Sequence, residues 1–518
     1  MEAFPLLLPG WALQAQADGP KLAAALSTLI RAHVYPQSLE VTPKGVFFLI
    51  RKDQEKRLGI LSSGGVADFG GLRHELTFNG QALIFQSCPL TPEHAQALRR
   101  HVPWTAPRTL GLRASVGCGD RLGLATPGHV RAVRKHTLAP VFAQQSIREM
   151  TRTGRSPQQV LDDAMWGVFQ EGWRQGYGAD ADHLKTEEDA DRCIAAGFTW
   201  FTIDPSAFVD NDADGADAAT LAAKVAALPW ADLETTWNDL RRAYLGQTFH
   251  VGPYMLSFEE RTLRQALAKY GAAIAHTARM YRHIASRMGN CPFELEMSVD
   301  ETEVPTSPAE HFFVARELAR LGVRWISLAL RFVGRLEKGV DYIGELGEFE
   351  AHLKLHVAIA RTLGPYKLSL HSGSDKFALY PLFAQHAGEL FHLKTAGTSY
   401  LEALRAVAEL DPTLFREILD FARSRYETDR ATYHVSALLE RVPHPAEVPD
   451  RDLPALLEHF DTRQVLHVTF GSVLTATDAQ GRPRFRDRLL AVLQAHEETH
   501  YRLLEAHFDR HLRPFDAT

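Results

Sequence analysis

From about residue 110 to residue 394 the chain repeats one pattern: a short apolar run, then a longer stretch whose apolar positions recur at three- and four-residue spacing. Short apolar runs bounded by turn residues read as strands, and the stretches between them as amphipathic helices. The predicted strands are 110–116, 140–145, 178–185, 198–204, 293–299, 324–330, 367–371 and 389–394. The clear helices are 156–173, 187–196, 308–321, 349–363 and 378–386. This alternation implies a parallel sheet with crossover helices, and eight such units predict an α/β fold, a (β/α)8 TIM-type barrel. Residues 1–105 differ, with alternating segments at 46–50 and 81–85 around glycine-rich turns at 62–71; they predict a small β-rich α+β domain. The barrel is then expected over 106–410, with a helical insertion at about 217–288. A mainly helical extension, 411–518, packs on the barrel and contains one strand-like run at 465–470.

In such a barrel the chemistry sits where strands end, so polar residues there carry special interest. Strand one ends in Asp120 and Arg121, strand two in Gln144 and Gln145, strand three in Asp182, His183 and Lys185, and strand four in Asp204. Strand five carries Glu294, Glu296, Ser298 and Asp300; strand six ends in Arg331; strand seven leads into His371 and Lys376; strand eight carries His392 and Lys394. Side chains alternate along a strand. With Leu368 and Leu370 facing the helices, Ser369 and His371 point inward, and the same reasoning turns Glu294, Glu296, Ser298, His392 and Lys394 inward. Carboxylates and imidazoles converging in a dry barrel mouth are costly unless they bind a cation or one another. One divalent metal cation (zinc, nickel, cobalt or manganese) resolves that cost. Glu294, deeper in its strand, reads as a salt-bridge partner of Arg113 or Arg331, and Asp120 with Arg121 as a structural ion pair or a substrate contact.

Composition narrows the partners. Hydrophobic residues make up 45% of the chain and charged residues 23%, and the formal charge of -6 comes with no basic stripe, which removes the electrostatic footprint of nucleic-acid binding. Small molecules are the better candidates. The cysteines Cys88, Cys118, Cys193 and Cys291 form no CxxC pair, which argues against thiolate zinc sites and fits a reducing cytoplasm. No run reaches the roughly 20 apolar residues that span a bilayer, and the N-terminus, with Glu2, Pro5 and Pro9, makes a poor signal peptide.

Three motifs mislead. His496-Glu-Glu-Thr-His500 matches HExxH, but too little chain follows for a third ligand, so it reads as a chance match on a surface helix; a substrate-facing role for His507 or His511 is a weaker option. Asp210, Asp212 and Asp214 copy half of an EF-hand loop, yet Leu221 stands where the bidentate glutamate belongs. Gly117 and Gly119 lack the third glycine of a dinucleotide fingerprint.

The strings GCGDRLGLATPGH (117–129), FAQQSIREM (142–150), GADADHLKT (178–186), FTIDPS (201–206), RFVGRLEKGVDY (331–342), LHSGSDKF (370–377) and HLKTAGTSYLEALR (392–405) together resemble the tagaturonate epimerase family, from about residue 105 to the C-terminus. The resemblance implies an isomerase that interconverts tagaturonate and fructuronate with a divalent metal. It further implies Asp182 as proton acceptor, Glu296 as proton donor, and His183 and His371 as metal ligands, with Glu337 or His392 as the third. Asp120, Arg121, Gln145, Lys185, Asp204, Arg331, Lys376, His392 and Lys394 are the expected substrate contacts. The inverting carbon lies β to the ketone, so enolisation cannot reach it, and retro-aldol cleavage with re-addition is the expected route. Among the positive groups Arg121, Lys185, Arg331, Lys376 and Lys394, one or two are expected to take the substrate carboxylate. The expected partner is a sugar acid, or a neutral ketose such as fructose or tagatose, with homo-oligomer formation left open. The rival readings are a metal-dependent aldolase or ketose isomerase on the same barrel, and a catalytically silent sugar-acid binding protein.

Overall fold

A computed structural model describes residues 8–78 and 81–516. Its centre is a closed parallel barrel of eight strands, β1 (Ser115–Gly117), β2 (Ala139–Ser146), β3 (Gly178–Leu184), β4 (Trp200–Ile203), β5 (Glu294–Ser298), β6 (Ser327–Ala329), β7 (Lys367–Leu370) and β8 (Phe391–Lys394). The strands follow one another around the barrel in chain order, and β8 closes on β1 with Lys394 opposite Gly117. Every residue of these strands is buried, as expected when helices cover the outside and side chains fill the inside. All eight predicted strands are present. The first is shorter than expected because Leu110 and Gly111 turn their backbone N–H groups onto Glu294 beneath the barrel, at 2.9 and 2.5 Å.

Local signals set the element ends. The helix Glu187–Ala196 starts where the Thr186 side chain accepts the Asp189 N–H and stops at Gly197, whose φ of 104° suits a residue without Cβ. Gly119 answers a different need: a Cβ there would come 2.5 Å from the Ala396 Cα, so only glycine lets the loops after β1 and β8 approach.

Two expectations are corrected. The insertion is not wholly helical: between the helices Trp237–Tyr244 and Glu260–Met288 lies a hairpin, Thr248–Val251 with Tyr254–Ser257, too short for its period to stand out. The run 465–470 is not a strand but lies in the helices Phe460–Val468 and Phe470–Thr475. Its residues from Val465 to Phe470 are buried throughout, and a short apolar run carries no period that separates a buried helix from a strand.

Ahead of the barrel, a helix (Leu8–Ile30) and an antiparallel sheet built on Gly45–Lys52, Glu55–Ser62, Leu72–Phe78 and Gln81–Pro89 pack beside it. The C-terminal helices form a second apolar core around Leu404, Leu419 and Phe470. The last long helix, Glu497–Leu512, ties all three parts together. Its Glu497 carboxylate meets Arg51 and Lys56, both at 2.9 Å, and the Tyr35 hydroxyl at 2.8 Å. The HExxH match therefore does not lie on one surface helix: His496 is the exposed joint between two helices, while His500 is buried. Among the acidic residues of the EF-hand-like stretch, Asp210 and Asp214 are paired with Lys224 and Lys269, at 2.5 and 2.8 Å.

Candidate active site

The polar interior is layered. At the floor, His392 hydrogen-bonds Ser115 Oγ at 2.9 Å and lies against the Trp200 ring, 4.8 Å between centroids. Lys367 donates to Ser115 Oγ at 3.0 Å; burial lowers its pKa to about 8 despite Glu294 and Glu296. Glu294 pairs with neither Arg113 nor Arg331: it accepts the amides of Leu110 and Gly111 and closes the bottom of the barrel.

Above the floor, Lys394 is the hub. Its Nζ lies 2.9 Å from Asp180, 2.7 Å from Asp182, 3.0 Å from Glu296 and 3.0 Å from Thr202 Oγ1. Burial works against its charge, but the three carboxylates outweigh it and hold the ammonium firmly protonated. Burial likewise opposes ionisation of Asp182 and Glu296, and Lys394 with the nearby histidines reverses this, keeping both well below the usual carboxylate range. Asp180 goes the other way, to about 6, because burial and the neighbouring acids dominate.

At the mouth, Asp182, His183 and His371 converge. His371 Nε2 is 3.4 Å from Asp182 and its Nδ1 3.4 Å from Glu296, so the two carboxylates flank opposite edges of one imidazole. His183 stands edge-on to His371, 4.4 Å between ring centroids, with Nδ1 3.2 Å from Asp182 and Nε2 3.8 Å from Glu301. His183 has a φ of 56°, a left-handed conformation uncommon for a residue with Cβ, which β3 adopts as it leaves the barrel.

Two observations test whether these residues fit a cation. One ligand atom each from Asp182, His183 and His371 lies within 4.8 Å of the others, and His183, Asp204 and Glu301 form an overlapping set. His183 Nε2 and Glu296 Oε2 are buried with neither a hydrogen bond nor an ion pair at hydrogen-bond distance, although buried polar groups normally find partners. Burial should depress His371, yet Asp300 and Asp182 raise it to about 10. The site has surplus negative charge and spare nitrogen and oxygen donors, the chemistry a divalent cation fits.

The other expected contacts sort differently. Asp120 does not pair with Arg121; its carboxylate accepts the amides of Leu122, Gly123 and Ala125. Arg121 meets Glu149 at 2.7 Å and stacks over Phe470. Gln145 accepts from Arg155 at 2.9 Å. Lys185 is exposed, 3.3 Å from the buried Asp204. Lys376 is buried with its Nζ on the carbonyls of Glu337, Val340 and Ser374. Glu337 is not brought to His183 or His371; its Oε2 accepts from Ser436 and Gln464 at 2.7 and 2.8 Å. His392 sits at the floor, below the cluster. Arg331 lines a cavity of about 330 Å³ that also reaches His371, Lys338 and Tyr433.

Sequence reasoning missed Asp180 and Glu301 as members of the site and named Gln144 at the end of strand two without giving it a role. Asp180 was legible, two residues before Asp182 on the same face. Gln144 donates to Asp182 at 3.2 Å; an irregularity between Val141 and Ala143 breaks the alternation that would place it. Glu301 sits past the end of β5 in a loop, where no period operates.

Comparison with known proteins agrees with this geometry. The family model described as tagaturonate epimerase matches residues 35–515. The tagaturonate/fructuronate epimerase of Thermotoga maritima is 44% identical over 479 residues, 92% of this chain and 96% of that protein. A glycerol-complexed crystal structure of the fructuronate-tagaturonate epimerase UxaE from Cohnella laeviribosi superposes with a TM-score of 0.88 at 38% identity, covering 97% of this chain and 99% of that one. The native crystal structure of the same enzyme gives 0.88 and 38% over 96% of this chain and 99% of that one. Matched from the N-terminal sheet to the last helix, the chain belongs to the tagaturonate epimerase family and is an epimerase, an isomerase by reaction class.

Proposed function

We propose that this chain interconverts tagaturonate and fructuronate by retro-aldol cleavage and re-addition, at a site that holds one divalent cation. The observation that carries the reading is the placement of Asp182 and Glu296 on opposite edges of His371, both tied to Lys394. His183 and His371 are the proposed imidazole ligands, and Glu301 replaces Glu337 and His392 as the proposed third ligand, since it lies beside His183. When bound, the cation supplies a Lewis acid for the oxyanion that develops on the ketone oxygen.

The chain's own residues do the rest. Asp182, kept ionised by Lys394, takes the hydroxyl proton from the inverting carbon, whose bond to the carbon beside the ketone then breaks. The electron pair of that bond passes into the ketone half as an enediolate, and the other half becomes an aldehyde. After the aldehyde turns its opposite face, the bond re-forms, and the proton that Asp182 took passes by way of Lys394, which touches both carboxylates, to Glu296 and from there to the new alkoxide oxygen. Gln144 holds Asp182 from behind at 3.2 Å.

The test is to strip the protein with chelator, restore single divalent metals and follow tagaturonate by NMR. Restored conversion to fructuronate that disappears in His371→Ala supports the reading, whereas full conversion by metal-free protein would overturn the cation's part in it. Conversion with transfer of a carbon-bound hydrogen and no aldehyde would overturn the retro-aldol route.

A further inference from the structure

The positive side chains at the mouth are not equivalent. Arg121 is committed to Glu149, Lys185 lies outside against Asp204, Lys376 is surrounded by carbonyls and Lys394 by carboxylates. Arg331 alone of this set is uncommitted: among the described residues its guanidinium makes no hydrogen bond or ion pair, and the opposite charge acting on it is that of Asp300. It is only partly exposed. A half-buried guanidinium with a fork of donors and no acceptor is poised for a planar oxyanion.

Its surroundings fit one. Arg331 lines the cavity of about 330 Å³ that opens beside His371, and Lys338, on the same loop, contributes a second ammonium held by Ser372 Oγ at 2.9 Å. Of the acids on that wall, Glu301 is paired with Arg148 at 3.2 Å and Glu337 accepts from Ser436 and Gln464, while Asp300, which accepts from Ser298 at 2.7 Å, is the one whose charge acts on Arg331. Tyr433, from the C-terminal extension, lines both this cavity and the adjoining one at Asp182 and His183.

We propose that Arg331, assisted by Lys338, grips the carboxylate end of the sugar acid and so retains the aldehyde half of the cleaved substrate while it turns. This rests on the retro-aldol reading above. Cleavage of the six-carbon keto acid gives the enediolate of a three-carbon ketone and a three-carbon hydroxy-aldehyde acid; the electron pair stays with the former and the carboxylate with the latter. Re-addition returns the same atoms and needs no oxidant or reductant. The enediolate half is held at the reacting centre, and the carboxylate is the one charged group by which the other half can be anchored. Arg331 thus separates an epimerase from an aldolase on the same barrel.

Three measurements on the metal-loaded enzyme, wild type against Arg331→Met and Arg331→Lys, test this. They are the KM for tagaturonate, the yield of three-carbon aldehyde acid caught by a hydrazine trap, and competition by a hexonate against the matching hexitol. In Arg331→Met the KM should rise about tenfold or more, trapped aldehyde should appear, and the hexonate should lose its advantage over the hexitol; Arg331→Lys should recover part of each. A variant with wild-type KM, an intact hexonate preference and no trapped aldehyde would overturn the proposal. If wild type leaves tagaturonate unchanged, the epimerase reading fails instead, and thermal-shift binding of hexonate against hexitol still decides whether Arg331 is a carboxylate site. Should Arg331→Met melt early, Arg331→Gln provides the same comparison.

Discussion

Two clusters in this protein have the same composition and opposite characters. Asp182, His183 and His371 gather at the barrel mouth; Asp375, His507 and His511 gather between the loop after β7 and the last helix. Both sets are buried, both bring a carboxylate and two imidazoles within 4.8 Å, and each includes a residue in left-handed conformation, His183 at φ 56° and Asp375 at φ 60°. The difference lies in their spare valence. In the second cluster Asp375 is taken by Arg463 at 2.8 Å, Thr398 at 2.9 Å and His507 at 2.8 Å, and its own N–H donates to His511 Nε2 at 3.0 Å. His511 Nδ1 is satisfied by the His507 carbonyl, and His507 Nδ1 lies 3.3 Å from Glu402. In the first, His183 Nε2 and Glu296 Oε2 have no partner at hydrogen-bond distance, and the cluster borders a cavity. A ligand-like set of residues does not make a binding site; unspent donors with access do. The second cluster locks the loop that carries His371, so the extension acts on the mouth through packing.

Four experiments would break or sharpen that contrast, beginning with the largest effect. His183→Ala or His371→Ala should remove bound metal and lower epimerisation by roughly a thousandfold or more, while His507→Ala leaves metal content per folded chain unchanged. Metal analysis after dialysis, alongside NMR turnover, reads both; metal lost from His507→Ala and kept by His371→Ala would reverse the assignment.

Next comes Asp375→Asn. It strands Arg463 in a buried network, so the urea midpoint should fall by an amount equivalent to about 3–5 kcal/mol, with bound metal retained in the folded fraction. A variant as stable as wild type would show that the cluster is not the lock described here.

The third is pH. Burial lowers His511 and His311 to about 3, and His129 and His500 to about 4, so these stay neutral in the fold. Unfolded, each titrates near 6.5. Between roughly pH 6.5 and 4 the unfolded chain therefore binds more protons than the folded one, and stability falls as pH falls through that window. At pH 5 the loss is about 2 kcal/mol for each such histidine. Thermal melts from pH 7.5 to 4.5 should slope down toward acid, and His511→Gln should flatten the slope; an unchanged slope would remove His511 from this account.

The smallest effect is expected at the floor. Glu294→Gln keeps an acceptor for Leu110 and Gly111 but loses the charge, costing about 1 kcal/mol and leaving the KM for tagaturonate unaltered. A raised KM would show that the floor is coupled to the mouth.

Much of the mouth was legible. Strand ends place Asp182, His183, His371 and Lys394, and alternation turns Glu296 inward, because a closed barrel leaves only two directions for a side chain. Alternation failed where the backbone broke step, at Gln144, and it gave direction without depth, which is why His392 was expected beside His183 and His371 but lies at the floor with Ser115. The cations show the same limit. Arg121, Lys376 and Arg331 look alike in sequence, but which of them keeps an unpaired charge depends on Glu149, three carbonyls and Asp300, groups brought near by folding.

The sequence by itself determined the order of strands and helices, and with it the barrel and the residues that reach its mouth, since periodicity and burial are local consequences of residue type. It also carried the family, through long motifs at those strand ends. Only the tertiary structure decided which polar groups are spent on one another and which are left for a ligand. Hydrogen bonds and ion pairs form between residues far apart in the chain, as between Lys394 and Asp182 or Asp375 and His507. Their energies depend on distance, alignment and exclusion of water, and none of these is written in the spacing of residues along the chain.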